Sequence, residues 1–372
     1  MNILITGAGG FIGQNLQAFL LPAEDMSVLC AYRDTDENDL KKLVSSADCI
    51  VHLAGVNRPK NDEAFARVNT GYTESICKLA ALSSKKIPII FSSSTQIDLD
   101  NAYGRSKLAA ENVLLEYSAR TGAPVHILRL PNVMGKWCRP DYNSVVATFC
   151  YNISHGLPIE IHNPETELTL VYIDDLVQEI TTIIQGKSDR DTSVSSFPEV
   201  HPQYKIKLAE LAQKIQGFHD SRQTLCMGRV AKGLDRALYA TYLSYLDTGH
   251  FSYPLVPHED ERGIFVEILK TRDSGQFSFL SAHPGITRGT HYHLTKTEKF
   301  LVVKGQATFR FRRLFTEDVI EIEARCASPK IVETIPGWVH DITNTGEEEL
   351  IVLIWANETF DPEAPDTFAA SI

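Results

Sequence analysis

Asn2-Ile3-Leu4-Ile5-Thr6-Gly7-Ala8-Gly9-Gly10-Phe11-Ile12-Gly13 reads as an apolar β-run, a glycine-rich turn and the opening of a helix. The glycines permit a tight turn, close approach of backbone N–H groups to a pyrophosphate, and tight packing of the helix on the strand. The helix N-terminus turns its positive dipole end to the phosphates. A glycine triplet is informative only in this strand–turn–helix setting. Thr6, Gly7, Gly10, Phe11, Ile12 and Gly13 are therefore expected to bind a dinucleotide. The next apolar run ends Ala31-Tyr32-Arg33. An acid at that point would bind a ribose 2′-hydroxyl, whereas the planar fork of an arginine receives a 2′-phosphate. Arg33 thus favours NADPH, although Asp34 and Asp36 follow it at once.

Outward from this turn the chain repeats the alternation. SVLCAY, CIVHLAG and IPIIFSSS are separated by helical patterns through residue 243, which implies parallel βαβ units and a covered sheet. Near Thr248-Gly249-His250 the texture changes to short runs with turn signals: FVEIL, QFSFLSA, KFLVVKG, ATFRFRR, VIEIEA, IVETIP and LIVLIWA. That is an all-β pattern fit for a sandwich or barrel. The boundary is placed at 243–250, giving domains 1–243 and 250–372, a division that suits a 372-residue chain.

Ala102-Tyr103-Gly104-Arg105-Ser106-Lys107 opens a helix. Residues four apart share a helix face, and an ammonium beside a phenol lowers its pKa toward useful acid–base chemistry. Upstream, Ser92-Ser93-Ser94 ends a strand, where a hydroxyl can bind a substrate carbonyl. In the β-rich part, Gly285 is followed after five residues by His291-Tyr292-His293, then Glu298 and Gly305, and later by Pro336-Gly337-Trp338-Val339-His340 and Asn344. Alternate residues of a strand face one way, so His291 and His293 project together, with Glu298 and His340 positioned to close the shell. Three imidazoles and a carboxylate suit Zn, Fe, Mn or Ni.

These residues carry resemblances. TGAGGFIG, VHLAG at 51–55, Asn69, SSS at 92–94, YGRSK at 103–107, RLPNVMG at 129–135 and VYIDDL at 171–176 resemble the extended short-chain dehydrogenase/reductase family. The resemblance implies a Rossmann domain with Leu53, Ala54 and Asn69 at the cofactor. It implies Tyr103 as proton donor, Lys107 on the nicotinamide ribose and Ser94 polarising the carbonyl. The Ser94–Tyr103 interval is shorter than in typical sugar-nucleotide members. The histidine pattern resembles both cupin motifs, implying a jelly-roll domain with His291, His293, Glu298 and His340 as metal ligands. Asp260–Glu267 and Arg288-Gly289-Thr290-His291-Tyr292 are similar to nucleotide-sugar 3,5-epimerases, in which the equivalent histidine is a base. Here His293 and the full shell make His291 a ligand instead. Lys299, Lys304 and Tyr292 are open as proton carriers, and Trp137-Cys138-Arg139 as either a substrate mouth or a core turn.

The two-domain order, with GKWCRPDYNSVVATFCY at 135–151 and FDPEAPDTF at 360–368, resembles the CapF family of capsular polysaccharide synthesis enzymes. It implies zinc-dependent C3 epimerisation of a UDP-2-acetamido-2,6-dideoxy-4-hexulose and NADPH reduction at C4, by a homodimer. Two other readings are a reductase whose cupin is structural and an NADPH-sensing module; a cupin dioxygenase is weaker. A net charge of -11 argues against a nucleic-acid partner. No apolar run reaches the roughly 20 residues of a membrane span, and the first residues lack the basic start and cleavage site of a signal peptide. Seven cysteines without a CxxC pair fit a reducing cytoplasm.

Overall fold

The computed structural model describes residues 1–57, 61, 63–187, 195–260, 263–266, 269–271, 275–358 and 363–372. By internal contacts the chain forms two compact units: Met1–Ser144 with Leu168–Ile206, and Val145–Glu167 with Lys207–Ile372.

The first unit is built on a five-stranded parallel sheet. Its strands are β1 (Asn2–Thr6), β2 (Ser27–Ala31), β3 (Cys49–His52), β4 (Ile89–Ser94) and β5 (Val125–Leu130), all paired in parallel. The order is β2-β1-β3-β4-β5. The connections run through helices α1 (Phe11–Leu20), α2 (Glu37–Ser46), the single turn α3 (Glu63–Phe65), α4 (Tyr72–Ala81) and α5 (Ala102–Thr121). Ile3, Leu4, Ile5, Ile50, Val51 and Ile89 are fully buried, as expected of strands covered on both faces. The strand order reverses at β1, so the crevice outside the carboxyl ends of β1 and β3 is the ligand-binding position of an open α/β sheet. Strand β6 (Asn132–Met134) pairs in parallel with β7 (Glu167–Tyr172), which leads into α7 (Ile173–Ile184).

The second unit combines helices with β-structure. Helices α6 (Val145–Ser154), α8 (Leu208–Thr224) and α9 (Gly233–Leu243) pack on one another; α8 follows β8 (Gln203–Lys207), the third strand of the β6-β7-β8 sheet, and β9 (Cys226–Met227) comes after α8. Beyond them run β10 (Ser252–Pro254), β11 (Pro257–Asp260), β12 (Gly263–Val266), β13 (Lys270–Thr271), β14 (Gln276–Ala282), β15 (Thr287–Tyr292) and β16 (Glu298–Lys304). They are followed by β17 (Gln306–Arg313), β18 (Val319–Arg325), β19 (Lys330–Glu333), β20 (Trp338–Asn344), β21 (Leu350–Ala356) and β22 (Phe368–Ala369). Two five-stranded sheets result, β10-β19-β16-β21-β14 and β18-β17-β20-β15-β22. Their pairings are antiparallel, and Phe300 of one meets Phe309 of the other at 5.5 Å between ring centroids.

The 243–250 boundary follows the change in element type, whereas the packing units place α6, α8 and α9 with the β-rich part. Within the epimerase-like stretch, Glu261, Arg262 and Glu267 lie outside the described residues, as do residues 359–362.

Candidate active site and metal centre

The turn after β1 shapes a cleft of about 500 Å³ in the first unit, walled by Gly7, Gly10, Phe11, Ile12, Gly13, Leu53, Ser94, Tyr103 and Lys107. Gly7 has a φ of +69°, and a Cβ there would lie 2.8 Å from Ala54 N. Only glycine fits, and the turn stays open toward the cleft for a phosphate. Other expected cofactor residues stand behind this wall. Thr6 is buried and hydrogen-bonded to His52 at 2.6 Å. Asn69 spends its amide on both backbone groups of Val56 and on Ser106 Oγ at 2.9 Å. It braces the Leu53–Val56 loop against α5 rather than facing the cleft. Arg33 is exposed just past β2. Asp36 is already engaged as the cap of α2, accepting from Asp39 N at 2.9 Å.

Strand alternation sorts the serines at the end of β4. Ser93 Oγ donates to the buried Glu111 carboxylate at 2.5 Å, which Arg129 also grips. Ser94 faces the other way, close enough to Tyr103 to influence its phenol, and accepts from Gln96 N at 3.2 Å. Burial pushes the Tyr103 phenol above its ordinary pKa, and Ser94 only partly offsets this. The expected lowering by Lys107 does not appear among the influences on Tyr103. Burial lowers the Lys107 pKa to about 8, with Glu111 opposing, and its ammonium donates to Ser92 O at 2.7 Å. A protonated phenol is the form that an acid delivering a proton requires. The far wall carries Trp137, Cys138, Arg139 and Tyr142, so the mouth reading of that segment fits and the core-turn reading does not. The buried Lys136–Asp174 pair, 2.9 Å apart, anchors the wall; the two residues lie in separate stretches, 135–151 and 171–176, and nothing in either stretch pairs them.

In the second unit His291, His293, Glu298 and His340 converge, with one potential ligand atom from each within 4.8 Å of the others. His291 ends β15 beside a register shift, while His340 lies opposite it on β20. The imidazole centroids are 4.7–5.1 Å apart. His293 Nδ1 faces the Asp366 carbonyl, which can only accept, so Nδ1 bears a proton. Its Nε2 is thereby turned to Glu298 Oε2, 3.1 Å away. His340 Nε2 is buried without a hydrogen-bond partner. Burial, then His340 and His293, lower the His291 pKa to about 4, and burial lowers that of His340. Burial raises the Glu298 carboxyl, but His293 and His340 outweigh it and hold it well below the usual range. Two imidazoles kept from protonation by burial, His291 and His340, beside an ionised carboxylate and a third imidazole fit a divalent transition metal.

The three suggested proton carriers lie elsewhere. Lys299 follows Glu298 on β16, so it points to the opposite face, where it pairs with Glu333. Tyr292 likewise faces away from the histidines and stacks on Phe368. Lys304 pairs with Glu348. Among the described residues, Lys296 is a cation that does reach the cluster, 2.9 Å from Glu298 Oε1. It sits in the His293–Glu298 turn, where strand periodicity gave no clue.

Comparison with known proteins bears on both halves of the chain. Residues 3–194 match the NAD dependent epimerase/dehydratase family, and residues 258–368 match the polysaccharide biosynthesis C-terminal domain. The chain is 50% identical over 372 residues to the UDP-2-acetamido-2,6-beta-L-arabino-hexul-4-ose reductase of Pseudomonas aeruginosa, covering 100% of this chain and 99% of that protein. It is similar to the crystal structure of the capsular polysaccharide assembling protein CapF from Staphylococcus aureus, with 42% identity, a TM-score of 0.68 and complete coverage (100%) of both chains. A UDP-glucuronic acid 4-epimerase from Bacillus cereus, solved with NAD, shares the fold at 18% identity and a TM-score of 0.53 over 59% of this chain and 83% of that one.

Proposed function

The chain belongs to the CapF family of capsular polysaccharide enzymes, and from that premise we propose that it is a bifunctional nucleotide-sugar epimerase and reductase. Its substrate is a UDP-2-acetamido-2,6-dideoxy-4-hexulose. The β-rich part, read as a cupin-type jelly roll over residues 250–372, inverts C3. The Rossmann part, residues 1–243, reduces C4 to give UDP-2-acetamido-2,6-dideoxy-L-talose, on the way to UDP-N-acetyl-L-fucosamine. The observation that carries the reading is that one chain holds both the Ser94–Tyr103 pair in a glycine-walled cleft and the His291, His293, Glu298 and His340 cluster.

The chemistry explains why the sites share a chain. A proton on C3 is acidic only while the C4 ketone can take up the charge, and reduction of that ketone locks the new centre. Gly7–Gly13 would hold NADPH, with Arg33 toward its 2′-phosphate, and the cofactor would supply the hydride. Ser94 orients the carbonyl oxygen, and Tyr103 passes its proton to the developing alkoxide. Lys107, on the wall of the same cleft, would hold the nicotinamide ribose. His291, His293, Glu298 and His340 would hold a zinc ion, which would lend Lewis acidity to the ketone at the C3 step. We also propose a cytoplasmic homodimer, on the family likeness and on seven cysteines with no CxxC spacing; no helix among the described residues is long and apolar enough to cross a membrane.

The test follows NADPH absorbance and deuterium at C3 in D2O with the 4-keto-6-deoxy-HexNAc nucleotide. Tyr103→Phe is expected to exchange deuterium while losing roughly 100-fold or more of its NADPH oxidation. His291→Ala is expected to lose exchange. Wild-type oxidation of NADPH without deuterium entering the product would sink the epimerase half and leave a reductase with a structural metal domain.

A further inference from the structure

Each imidazole of the cluster is steadied by a backbone group, but not in the same way. His291 is hydrogen-bonded to the backbone of Gly289, and His340 Nδ1 faces Trp338 O at 3.4 Å. Both partners lie two residues back on the same strand, so they come with the strand itself. His293 lies beyond the end of β15 and uses the carbonyl of Asp366, 73 positions away. The carboxylate of the same residue accepts from Leu294 N at 2.8 Å, Thr295 N at 2.7 Å, Lys296 N at 2.6 Å and Thr295 Oγ1 at 3.0 Å. It therefore gathers the whole turn that separates His293 from Glu298. The following residues continue the hold. Ala370 N donates to Thr290 O at 3.1 Å, β22 pairs His291 with Ala369, and Arg312 donates to Ser371 O at 2.6 Å.

We infer that Asp366 is a positioning residue for the metal centre: its carbonyl fixes the His293 tautomer and its carboxylate fixes the spacing of His293 and Glu298. The inference rests on the reading that the cluster binds a divalent cation. Asp366 is not a fifth ligand, since its carboxylate is occupied by three backbone N–H groups and a hydroxyl. Outer partners of this kind set the orientation and basicity of a ligating imidazole, and their loss typically costs about 10–100-fold in metal affinity.

The experiment uses the full chain as wild type, Asp366→Ala, Asp366→Asn and His291→Ala. Zinc affinity is measured by competition with a chromophoric chelator, and the d–d absorption of the Co2+-loaded proteins is recorded. Asp366→Ala is expected to weaken zinc by about 10–100-fold and to shift the cobalt bands. Asp366→Asn is expected to fall between, because its amide oxygen still accepts while its NH2 opposes the N–H groups. It carries the test if the alanine variant does not fold. Wild-type affinity and an unchanged cobalt spectrum in the Asp366 variants, with only a lower apo-protein melting temperature, would overturn the inference and leave a structural staple. A wild type that binds no zinc, indistinguishable from His291→Ala, would instead overturn the metal reading beneath it.

Discussion

Tyr103 and Lys107 stand one turn apart on α5, and burial moves both toward their neutral forms. For Tyr103 this preserves the proton that reduction consumes. For Lys107 it is a cost: the ammonium is lost above pH about 8. Reductase kcat/KM is therefore expected to fall as pH rises past about 8, measured in NADPH oxidation assays. The same burial bears on stability. Below pH 8 the folded chain holds a desolvated charge that the unfolded chain keeps hydrated. The penalty shrinks as pH climbs toward 10.5, because the folded group has already released its proton. Lys107→Met is expected to abolish reduction yet raise the melting temperature at pH 7, by a free energy of at most about 3 kcal/mol. The gap to wild type should close toward pH 10.5. Equal or lower melting temperature at pH 7 would contradict this account. The Tyr and Lys were legible from their spacing; Glu111 and Ser93, which set the environment of Lys107 and the direction of Ser94, were not. Their contacts cross 18 positions and match no motif.

The short connection from Ser94 to Tyr103 works because of how two elements meet. Residues 95–98 coil into a single 3-10 turn, and Asn101 caps α5 by accepting from Gly104 N at 2.7 Å. A Cβ on Gly104 would lie 2.2 Å from Gln96 O and 2.9 Å from Leu99 O. Both are backbone atoms, so the turn or the helix would have to move. Gly104→Ala is expected to displace Tyr103 and lower reductase kcat by roughly 100-fold while NADPH binding, followed by fluorescence titration, changes little. Deuterium exchange at C3 should also survive. The sequence identified the interval as short, but not that a glycine one position after the acid is what allows it. At the histidine cluster, spacing brought out four residues that do converge, because the pattern that carries them is local. It misjudged Lys299 by overlooking that a residue next to an inward Glu298 must face outward, and it missed Lys296 because turns carry no such period.

Within the second unit, helices that precede residue 243 are fastened to strands that follow it. Glu333 of β19 is buried between Arg222 of α8 and Lys299 of β16; Tyr253 lies under both cations, with centroids 4.4 and 5.3 Å away. Burial raises the Glu333 carboxyl, but Arg222 and Lys299 prevail and hold it below its ordinary range. Glu333→Ala leaves two buried cations without their carboxylate, and is expected to cost about 3–5 kcal/mol in chemical denaturation. Glu333→Gln is expected to cost less, because its amide oxygen still accepts. Element type read from sequence could divide the chain only where strands replace helices; it could not reveal which helices those strands would bury.

The interleaved packing units also bear on synthesis. Val145–Glu167 belongs with residues from Lys207 onward, so it leaves the ribosome before α8 and α9, against which it packs. During that interval Val146, Phe149, Cys150 and Ile153, buried in the finished protein, have no native surface to cover them. The nascent chain thus passes through a stage that exposes an apolar helix, the kind of surface that chaperones bind and that aggregates when left uncovered.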